Sequence, residues 1–293
     1  MDNINGIVIV NKDKGFTSHD VVNVIRKIFG TRKVGHTGTL DPDATGVLPI
    51  CIGKGTKLAD MLTFSDKCYK ARVRLGITTD TQDISGEILT KSDVNVTEEE
   101  LLLAIKKHTG EIMQIPPMYS AIKINGQKLC DLARKGIEVE RKPRKVTIYS
   151  AELSDFDGME FNLTVSCSKG TYIRTLCDDI GKHLGCGAVM TELQRTKSSV
   201  FTLENSYTLD ELKQMTEDKL RSILMPVDSV FLNYPEMYID DNLKKRVTNG
   251  ATSFVKLNEG TYRIYDKEKN FLCLAQVKEE NGKKTLKSIK TFY

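Results

Sequence analysis

The sequence has no strong excess of charge of either sign: 43 Lys and Arg stand against 39 Asp and Glu, and the formal net charge is only +4. This balance, with 28% charged and 40% hydrophobic residues, excludes a disordered chain, a collagen-like fibre and a highly charged tail protein. Repeats and low-complexity tracts are also absent. The 293 residues therefore predict a globular protein of one large domain or two.

The seven cysteines form no C-x-x-C pair, and their odd number predicts reduced thiols rather than a disulfide framework. Cys177, His183 and Cys186 lie close in sequence, but their spacing matches no zinc pattern, so no metal is predicted. No apolar run approaches the ~20 residues of a membrane span. The N-terminal MDNING has no basic region before its short apolar run, so we expect no signal peptide and a cytoplasmic protein.

Hydrophobic periodicity predicts strands and helices in mixed order. Residues 160–168 alternate strictly between apolar and polar side chains, as a half-buried strand does. Thr97 and Glu100 form a capping box that predicts a helix, and Ser18 is the predicted N-cap of an earlier helix. Residues 34–55 are rich in glycine and are predicted to form a loop. Because there is no regular βαβ rhythm, the pattern predicts an α+β fold.

The C-terminal part of the chain has a different pattern. Its short alternating runs, at residues 261–265 and 271–277, are typical of a small β-barrel. We therefore predict one domain of residues 1–234 and a second of residues 235–293. The second carries 12 Lys and Arg against 8 Asp and Glu, and residues 112–148 carry 8 against 3. Each of these basic regions is either a surface for a polyanion or ordinary solvated surface.

Most of the candidate chemistry lies in GHTGTLDPDATG, residues 35–46. Its three glycines allow the backbone to approach a ligand closely, and His36, Asp41 and Asp43 add titratable groups. Pro42 favours an extended backbone at Asp41, which fixes how the carboxylate is presented. The same residues also fit a tight structural turn in which Asp41 is an Asx cap.

Two further segments carry candidate binding groups. In SKGTYIR, residues 168–174, Arg174 can pair with a carboxylate and Tyr172 can stack on a planar ligand. The alternative there is a surface arginine and a tyrosine at the edge of the core. Residues 115–126 and the basic stretches that follow interleave aromatic and basic side chains, as nucleic-acid contacts do, but a solvated loop has the same composition.

Together these motifs resemble the bacterial tRNA pseudouridine synthase B family, whose members isomerise uridine 55 in the T arm of tRNA. The resemblance covers almost the whole chain and is most specific in GHTGTLDP. The matching segments, in the order of the family, are residues 11–18, 33–42, 44–48, 69–71, 115–126, 168–174 and 193–196. The resemblance implies a pseudouridine synthase fold with a mixed, largely antiparallel central sheet and flanking helices. A small PUA-like β-barrel that binds RNA is implied to follow.

The resemblance also implies roles for individual residues. Asp41 corresponds to the catalytic aspartate, Tyr69 to a tyrosine that stacks on the target base, and Arg174 to the arginine that pairs with the aspartate. That ion pair would hold the carboxylate ionised and aimed. Residues 112–148 correspond to an inserted segment that closes over the RNA arm. The residues implied to bind the substrate are His36, Tyr172, Leu193, Lys12, Thr39, Arg134, Arg141, Lys142 and Arg144.

The implied reaction is redox-neutral and adds no water, so we expect no cofactor. The expected partner is the T stem-loop of tRNA, bound by a monomer that needs no other protein. Two alternatives remain: an RNA-binding or tRNA-folding module without catalysis, and the guide-RNA-dependent synthase of archaeal and eukaryotic ribonucleoproteins, a relative that lacks the insertion. Asp13, Cys130 and Ser199 depart from the usual residues of the family and leave the contacts around Lys12 and Cys130 open.

Overall fold

The computed structural model describes residues 4–63, 65–280 and 282–293, so residues 1–3 of the N-terminal stretch considered above lie outside it. The strands before residue 235 are β1 (Gly6–Lys12), β2 (Val34–His36), β3 (Thr45–Ile52), β4 (Lys67–Leu75), β5 (Ile77–Thr79), β6 (Ile88–Lys91), β7 (Gly110–Gln114), β8 (Lys123–Ile124), β9 (Gln127–Lys128), β10 (Arg144–Ser154), β11 (Glu160–Cys167), β12 (Ala188–Ser198) and β13 (Phe201–Thr202). Nine of them form one central sheet in the order β1–β3–β12–β4–β11–β10–β7, with β2 on β3 and β13 on β12.

The central sheet is mixed and largely antiparallel, because β3 and β12 are parallel while the other neighbours run antiparallel. The strand predicted from the alternation of residues 160–168 is β11, in which Phe161, Leu163 and Val165 are buried. Beside it, β4 alternates in the same way. These observations confirm the predicted α+β fold with its central sheet.

The prediction that residues 34–55 form a loop is wrong. β2 and β3 pair as antiparallel strands, with His36 opposite Ile50, and only residues 37–44 between them are irregular. β3 is buried at seven of its eight positions because apolar clusters cover both faces of the sheet there. A strand buried on both faces is apolar throughout and lacks the alternation that marks a half-buried strand.

Helices flank the central sheet, and several of them contact its strands. They are α1 (Ser18–Ile28), α2 (Ala59–Thr63), α3 (Glu98–Lys107), α4 (Leu129–Ala133), α5 (Ile173–Leu184), α6 (Leu209–Gln214), α7 (Glu217–Ser222) and α8 (Asp241–Thr248). The capping box of Thr97 and Glu100 is confirmed at the start of α3. None of the helices in the described part of the chain is long and apolar enough to cross a bilayer.

The sequence predicted Ser18 as the N-cap of α1, but the N-cap is Thr17. The Thr17 hydroxyl accepts a hydrogen bond from the Asp20 amide, and the Asp20 carboxylate accepts one from the Thr17 amide. Ser18 is buried and its hydroxyl is bound to the main chain of Leu40 instead. Two adjacent hydroxyl residues can thus have different roles, one as a helix cap and one in a tertiary contact, and the sequence alone does not distinguish them.

The basic segment 112–148 begins and ends in the central sheet. β7 and β10 pair at its edge, with Arg144 opposite Gln114. Residues 115–143 leave this edge and contain the β8–β9 hairpin and α4. We call residues 115–143 the excursion.

The tail forms a separate five-stranded sheet, curled into a half-barrel. Its strands, in the order β14–β16–β17–β18–β15, are β14 (Glu236–Tyr238), β15 (Ser253–Phe254), β16 (Gly260–Tyr265), β17 (Phe271–Glu280) and β18 (Lys283–Thr291). The alternating runs of the sequence fall in β16 and β17, as predicted. An apolar cluster joins this sheet to the back of β1 and β3, and its members include Ile9, Val47, Phe231, Leu274 and Phe292. We call it the junction cluster.

Gly46 is where the parallel strands β3 and β12 come closest. Its φ is +102°, and a Cβ atom there would overlap the main-chain carbonyl of Arg195. We expect Gly46→Ala to lower the free energy of unfolding by at least about 3 kcal/mol, because left-handed strain and a backbone clash add. Gly110→Ala is the matched control, since Gly110 has φ +96° and open space around the Cβ position. Equal losses for the two variants in urea unfolding would contradict this account of Gly46.

Candidate active site

A cleft of about 1070 Å³ opens beside residues 37–44, which we call the aspartate loop. Its other walls are residues 80–87, which connect β5 to β6, together with the excursion, the start of α5 and part of β12. The predicted site residues in its lining are His36, Thr39, Asp41, Arg134, Arg174 and Leu193. The fold thus brings into one cleft residues that are far apart in sequence.

Arg174, in the first turn of α5, is the group that connects the walls of the cleft. Its side chain is only 5% exposed, and its Nε lies 3.1 Å from Oδ2 of Asp41. Its two terminal nitrogens donate hydrogen bonds to the carbonyl oxygens of Thr81 (2.9 Å) and Tyr119 (2.8 Å). One guanidinium therefore binds the aspartate loop, the β5–β6 loop and the excursion to α5.

Asp83 supplies a second carboxylate to the same guanidinium. Its Oδ2 lies 3.4 Å from Nη1 of Arg174. Its Oδ1 accepts hydrogen bonds from the hydroxyls of Thr81 and Ser85 and from the amide of Ser85. The β5–β6 loop is thus internally bonded around Asp83. Asp83 is not among the residues predicted from the sequence, although TTDTQD, residues 78–83, does place two carboxylates among hydroxyls.

Three buried groups hold the aspartate loop by its main chain. The Ser18 hydroxyl binds both the amide and the carbonyl of Leu40, the residue before Asp41. Lys12 is fully buried, and its ammonium donates to the carbonyl of Pro42 at 2.9 Å and to two carbonyls of its own loop. Arg195, also fully buried, donates to the carbonyl of Gly38 at 3.1 Å. The backbone on each side of Asp41 is therefore fixed.

The charge state of Asp41 depends on opposing influences. Burial in the cleft raises the pKa of Asp41, and the like charges of Asp83 and Asp43 raise it further. Arg174 and Lys12 lower this pKa without offsetting burial. The expected ion pair is present, but it does not bring the pKa below its ordinary value. The carboxylate is still 43% exposed, so a substrate can reach it.

Burial also affects the two nearby basic groups. It lowers the pKa of Lys12 to about 8, although Asp43, Asp13 and Asp41 oppose the change. It lowers the pKa of His36 as well, and the charge of Arg195 adds to this effect. Nδ1 of His36 is buried and has no hydrogen-bond partner among the described residues. At neutral pH His36 is therefore an uncharged ring at the wall of the cleft.

Several predicted site residues lie behind the lining of the cleft. Tyr69, on β4, is 8% exposed and belongs to the main apolar core. Tyr172 is half-buried, and the Gln114 side chain binds both its amide and its carbonyl, at 2.8 and 3.0 Å. Lys12 lies beneath the aspartate loop. The roles given to these three residues stay predictions, and Gln114 is not among the residues predicted from the sequence.

The predicted basic residues are divided between two places. Arg134 lines the cleft, whereas Lys142 and Arg144 are exposed where the chain returns to the sheet. Arg141 is held within the excursion by Glu138 (2.8 Å) and by the carbonyl of Pro116 (3.3 Å). Lys142 and Arg144 are therefore accessible to a large anionic ligand, and Arg134 is placed to contact a ligand in the cleft.

Comparison of the sequence with known proteins shows the family to which the chain belongs. The model of the N-terminal domain of TruB family pseudouridylate synthases matches residues 26–173, and that of the tRNA pseudouridylate synthase B C-terminal domain matches residues 174–232. The sequence is 44% identical to tRNA pseudouridine synthase B of Clostridioides difficile, over 99% of this chain and all of that protein. It is 49% identical to tRNA pseudouridine synthase B of Alkaliphilus oremlandii, over 84% of this chain and 82% of that protein.

Solved structures agree with the sequence comparison. The chain resembles one in a Cbf5-Nop10-Gar1 complex with a TM-score of 0.74 and 28% identity, over 98% of this chain and 85% of the other. It also resembles one in an H/ACA RNP bound to a substrate RNA containing 2′-deoxyuridine, with a TM-score of 0.73 and 26% identity, over the same shares of the two chains. The fold is therefore that of a pseudouridine synthase. The chain belongs to the TruB family, which confirms the resemblance found in its motifs.

The balance of charges around Asp41 can be measured directly. We expect Asp41 to titrate above the ordinary aspartate value of about 3.9. In Asp83→Asn its pKa should fall, because a like charge is removed and Arg174 is left to Asp41 alone. A ¹³C NMR titration of the aspartate carboxyls, with Asp41→Asn for assignment, measures both. Asp210→Asn on α6 is the control and should leave the titration unchanged; a rise in Asp83→Asn would contradict the account.

Proposed function

We propose that this chain isomerises uridine to pseudouridine in tRNA, at position 55 of the T arm, and that Asp41 carries the reaction. The observation that supports this most is an accessible carboxylate held by a buried guanidinium at the wall of a cleft, in a chain of this family. The relatives above that are named tRNA pseudouridine synthase B match it over most of its length.

The target uridine has to leave its stack before Asp41 can reach it. Flipping a base out of a folded arm costs a few kcal/mol, which contacts to the rest of the RNA must supply. The cleft volume of about 1070 Å³ leaves room for a nucleotide. His36, uncharged at the wall of the cleft, is suited to pack against unstacked neighbouring bases.

The isomerisation breaks the C1′–N1 bond, turns the base and forms a C1′–C5 bond. C5 then loses its proton, and N1 gains one in the product. Asp41 acts either as a nucleophile at C1′ or as a base toward a sugar proton. Both routes need an ionised carboxylate in a fixed direction; the hydrogen-bonded Arg174 fixes the direction and favours the ionised form against the effect of burial. Met190 and Leu193, which are apolar and line the cleft, limit the access of water to the detached base.

The basic surfaces have a role in this proposal. Residues 1–234 form the catalytic domain, and residues 235–293 form a PUA-like domain that binds RNA. Segment 112–148, through its excursion, closes over the arm and places Arg134 in the cleft. Because phosphate contacts supply most of the affinity for nucleic acid, the exposed cations of both regions contribute to binding more than to chemistry.

The enzyme works alone in this proposal, as a monomer in the cytoplasm with tRNA as its partner. Its identity to proteins named tRNA pseudouridine synthase B is 41–49%, against 26–28% for the chains of the Cbf5 and H/ACA structures. This difference favours the stand-alone enzyme over the guide-RNA-dependent synthase. The pairing of Asp41 with Arg174 favours an enzyme over a module that only binds or folds tRNA.

Release of tritium from 5-tritiated uridine in an unmodified tRNA transcript tests the activity. We expect the purified protein to release tritium without guide RNA or added protein, and Asp41→Asn to be slower by at least about a thousandfold because the reacting carboxylate is lost. Asp43→Asn removes the neighbouring exposed carboxylate and is the matched control, expected within about tenfold of wild type. Equal rates for wild type and Asp41→Asn would remove Asp41 from the mechanism, and an inactive wild type would overturn the stand-alone enzyme.

The two basic regions can be tested by the salt dependence of tRNA binding. Each phosphate contact that is lost should reduce the slope of log K against log salt by about 0.7 to 0.9. The variants each replace three cations by Gln: Arg134, Lys142 and Arg144 in the first, Lys283, Lys284 and Lys287 in the second, and Lys213, Lys219 and Arg221 of α6 and α7 in the control. The first two should reduce the slope and the control should not. A control that changes the slope as much as the others would mean that net charge, and not location, matters.

A further inference from the structure

The β5–β6 loop contains a residue in an unfavourable backbone conformation directly behind Arg174. Gln82 has φ +64°, in the left-handed region that residues with a Cβ atom rarely adopt. It lies between Thr81, whose carbonyl accepts from Arg174, and Asp83, whose carboxylate faces Arg174. Strain of this kind persists only where the surroundings enforce it.

The side-chain amide of Gln82 reaches from the loop to α5. Its Nε2 donates to Oδ2 of Asp178 at 2.9 Å, and its Oε1 accepts from the hydroxyl of Thr175 at 2.7 Å. Thr175 and Asp178 are each 3% exposed and Gln82 is half-buried, so both bonds are partly shielded from water. An amide offers one donor end and one acceptor end, which matches a carboxylate and a hydroxyl one turn apart on a helix.

The main chain of Gln82 is bound as well. Its amide donates to the carbonyl of Thr79, and its carbonyl accepts from the amide of Met190 on β12. Gln82 does not line the cleft; its side chain lies on the other side of the loop, beside a second cavity of about 510 Å³. The Gln82 side chain therefore acts on the reaction indirectly, and its loop neighbours Thr81 and Asp83 connect it to Arg174.

We infer that Gln82 is a positioning residue for the isomerisation: its amide fixes the β5–β6 loop to α5, so that Thr81 and Asp83 hold Arg174 against Asp41. The inference rests on the proposed function. Thr175 and Asp178 follow Arg174 on the same helix. By bonding to them, Gln82 fixes the position of the loop relative to the helix that carries the guanidinium. A small misplacement of a reacting group is enough to slow an enzyme about a hundredfold.

Glycine at this position separates positioning from folding. Gln82→Gly removes the amide but also relieves the left-handed strain, so the variant should remain folded. We expect tritium release in single turnover at saturating tRNA to fall roughly tenfold to hundredfold, with the Kd for tRNA within about twofold. Asp155→Gly is the matched control, because Asp155 has φ +55° in an exposed turn between β10 and β11, outside both basic regions. It should be as active as wild type.

The pH profile supplies a readout that a purely structural role would not change. The charged groups that act on Asp41 are Arg174 on α5, Lys12 on β1, Asp83 in the β5–β6 loop and Asp43 in its own loop. If the loop loosens in Gln82→Gly, Arg174 is no longer held against Asp41, and its lowering of the Asp41 pKa, which is larger than the raising effect of Asp83, weakens. The acid limb of the rate should therefore move to higher pH, while that of Asp155→Gly should not move.

A pair of substitutions tests the bridge itself. Gln82→Glu places a second carboxylate beside that of Asp178, where Lys182, 2.6 Å from Oδ2 of Asp178, can neutralise only one of the two charges. The variant should therefore slow the reaction at least as much as Gln82→Gly. Combining it with Asp178→Asn restores one donor and one acceptor with the roles exchanged, and the rate should return to within about threefold of wild type. Asp178→Asn alone leaves an amide oxygen for Gln82 and should stay active.

The outcomes decide separately on the inference and on the function. A wild-type rate and pH profile in Gln82→Gly would overturn the inference and leave the proposed function intact. If Gln82→Gly does not fold, the double variant with Gln82→Glu and Asp178→Asn tests the inference instead. Failure of Asp178→Asn to rescue Gln82→Glu would overturn the inference. An inactive wild type would overturn the proposed function itself.

Discussion

Burying the guanidinium of Arg174 is unfavourable unless its charge and its N–H groups are matched. Here Asp41 and Asp83 supply the negative charge, and carbonyls of Thr81 and Tyr119 accept the other hydrogen bonds. Each of these loop partners arrives from a distant stretch of sequence. The walls of the cleft are therefore held in one arrangement by the requirement that a single cation be satisfied, and the direction of the Asp41 carboxylate follows from it.

A second constraint acts from below the aspartate loop. Lys12 and Arg195 are fully buried cations whose hydrogen bonds to the loop end on main-chain carbonyls of Pro42 and Gly38. Since carbonyls carry no net charge, these hydrogen bonds do not cancel the positive charge of the two side chains. The charge of Lys12 reaches Asp41 as a weak stabilisation of the carboxylate, in competition with burial. Both residues thus make the loop rigid, and Lys12 also contributes its charge.

Sequence patterns predicted the elements whose signals are local. The alternation of β11 and the capping box of α3 depend on neighbours in the chain, and both are confirmed. β3 has no such signal because a strand buried on both faces lacks alternation, and Ser18 resembles a cap because its partner, Leu40, is 22 residues away. The pairing of Asp41 with Arg174 came from the family resemblance and not from any pattern within the chain.

The remaining side-chain contacts of the site were beyond prediction, since Gln114 and Gln82 meet their partners across 58 and about 95 residues. The junction cluster has the same long-range character, and its consequence reaches beyond the cleft. Phe231, Leu274 and Phe292 pack on Ile9 and Val47. Removing the tail would therefore expose an apolar surface on the first domain. A foreign RNA-binding domain grafted in its place would have to bring a matching apolar face, or the back of β1 and β3 would be redesigned with it.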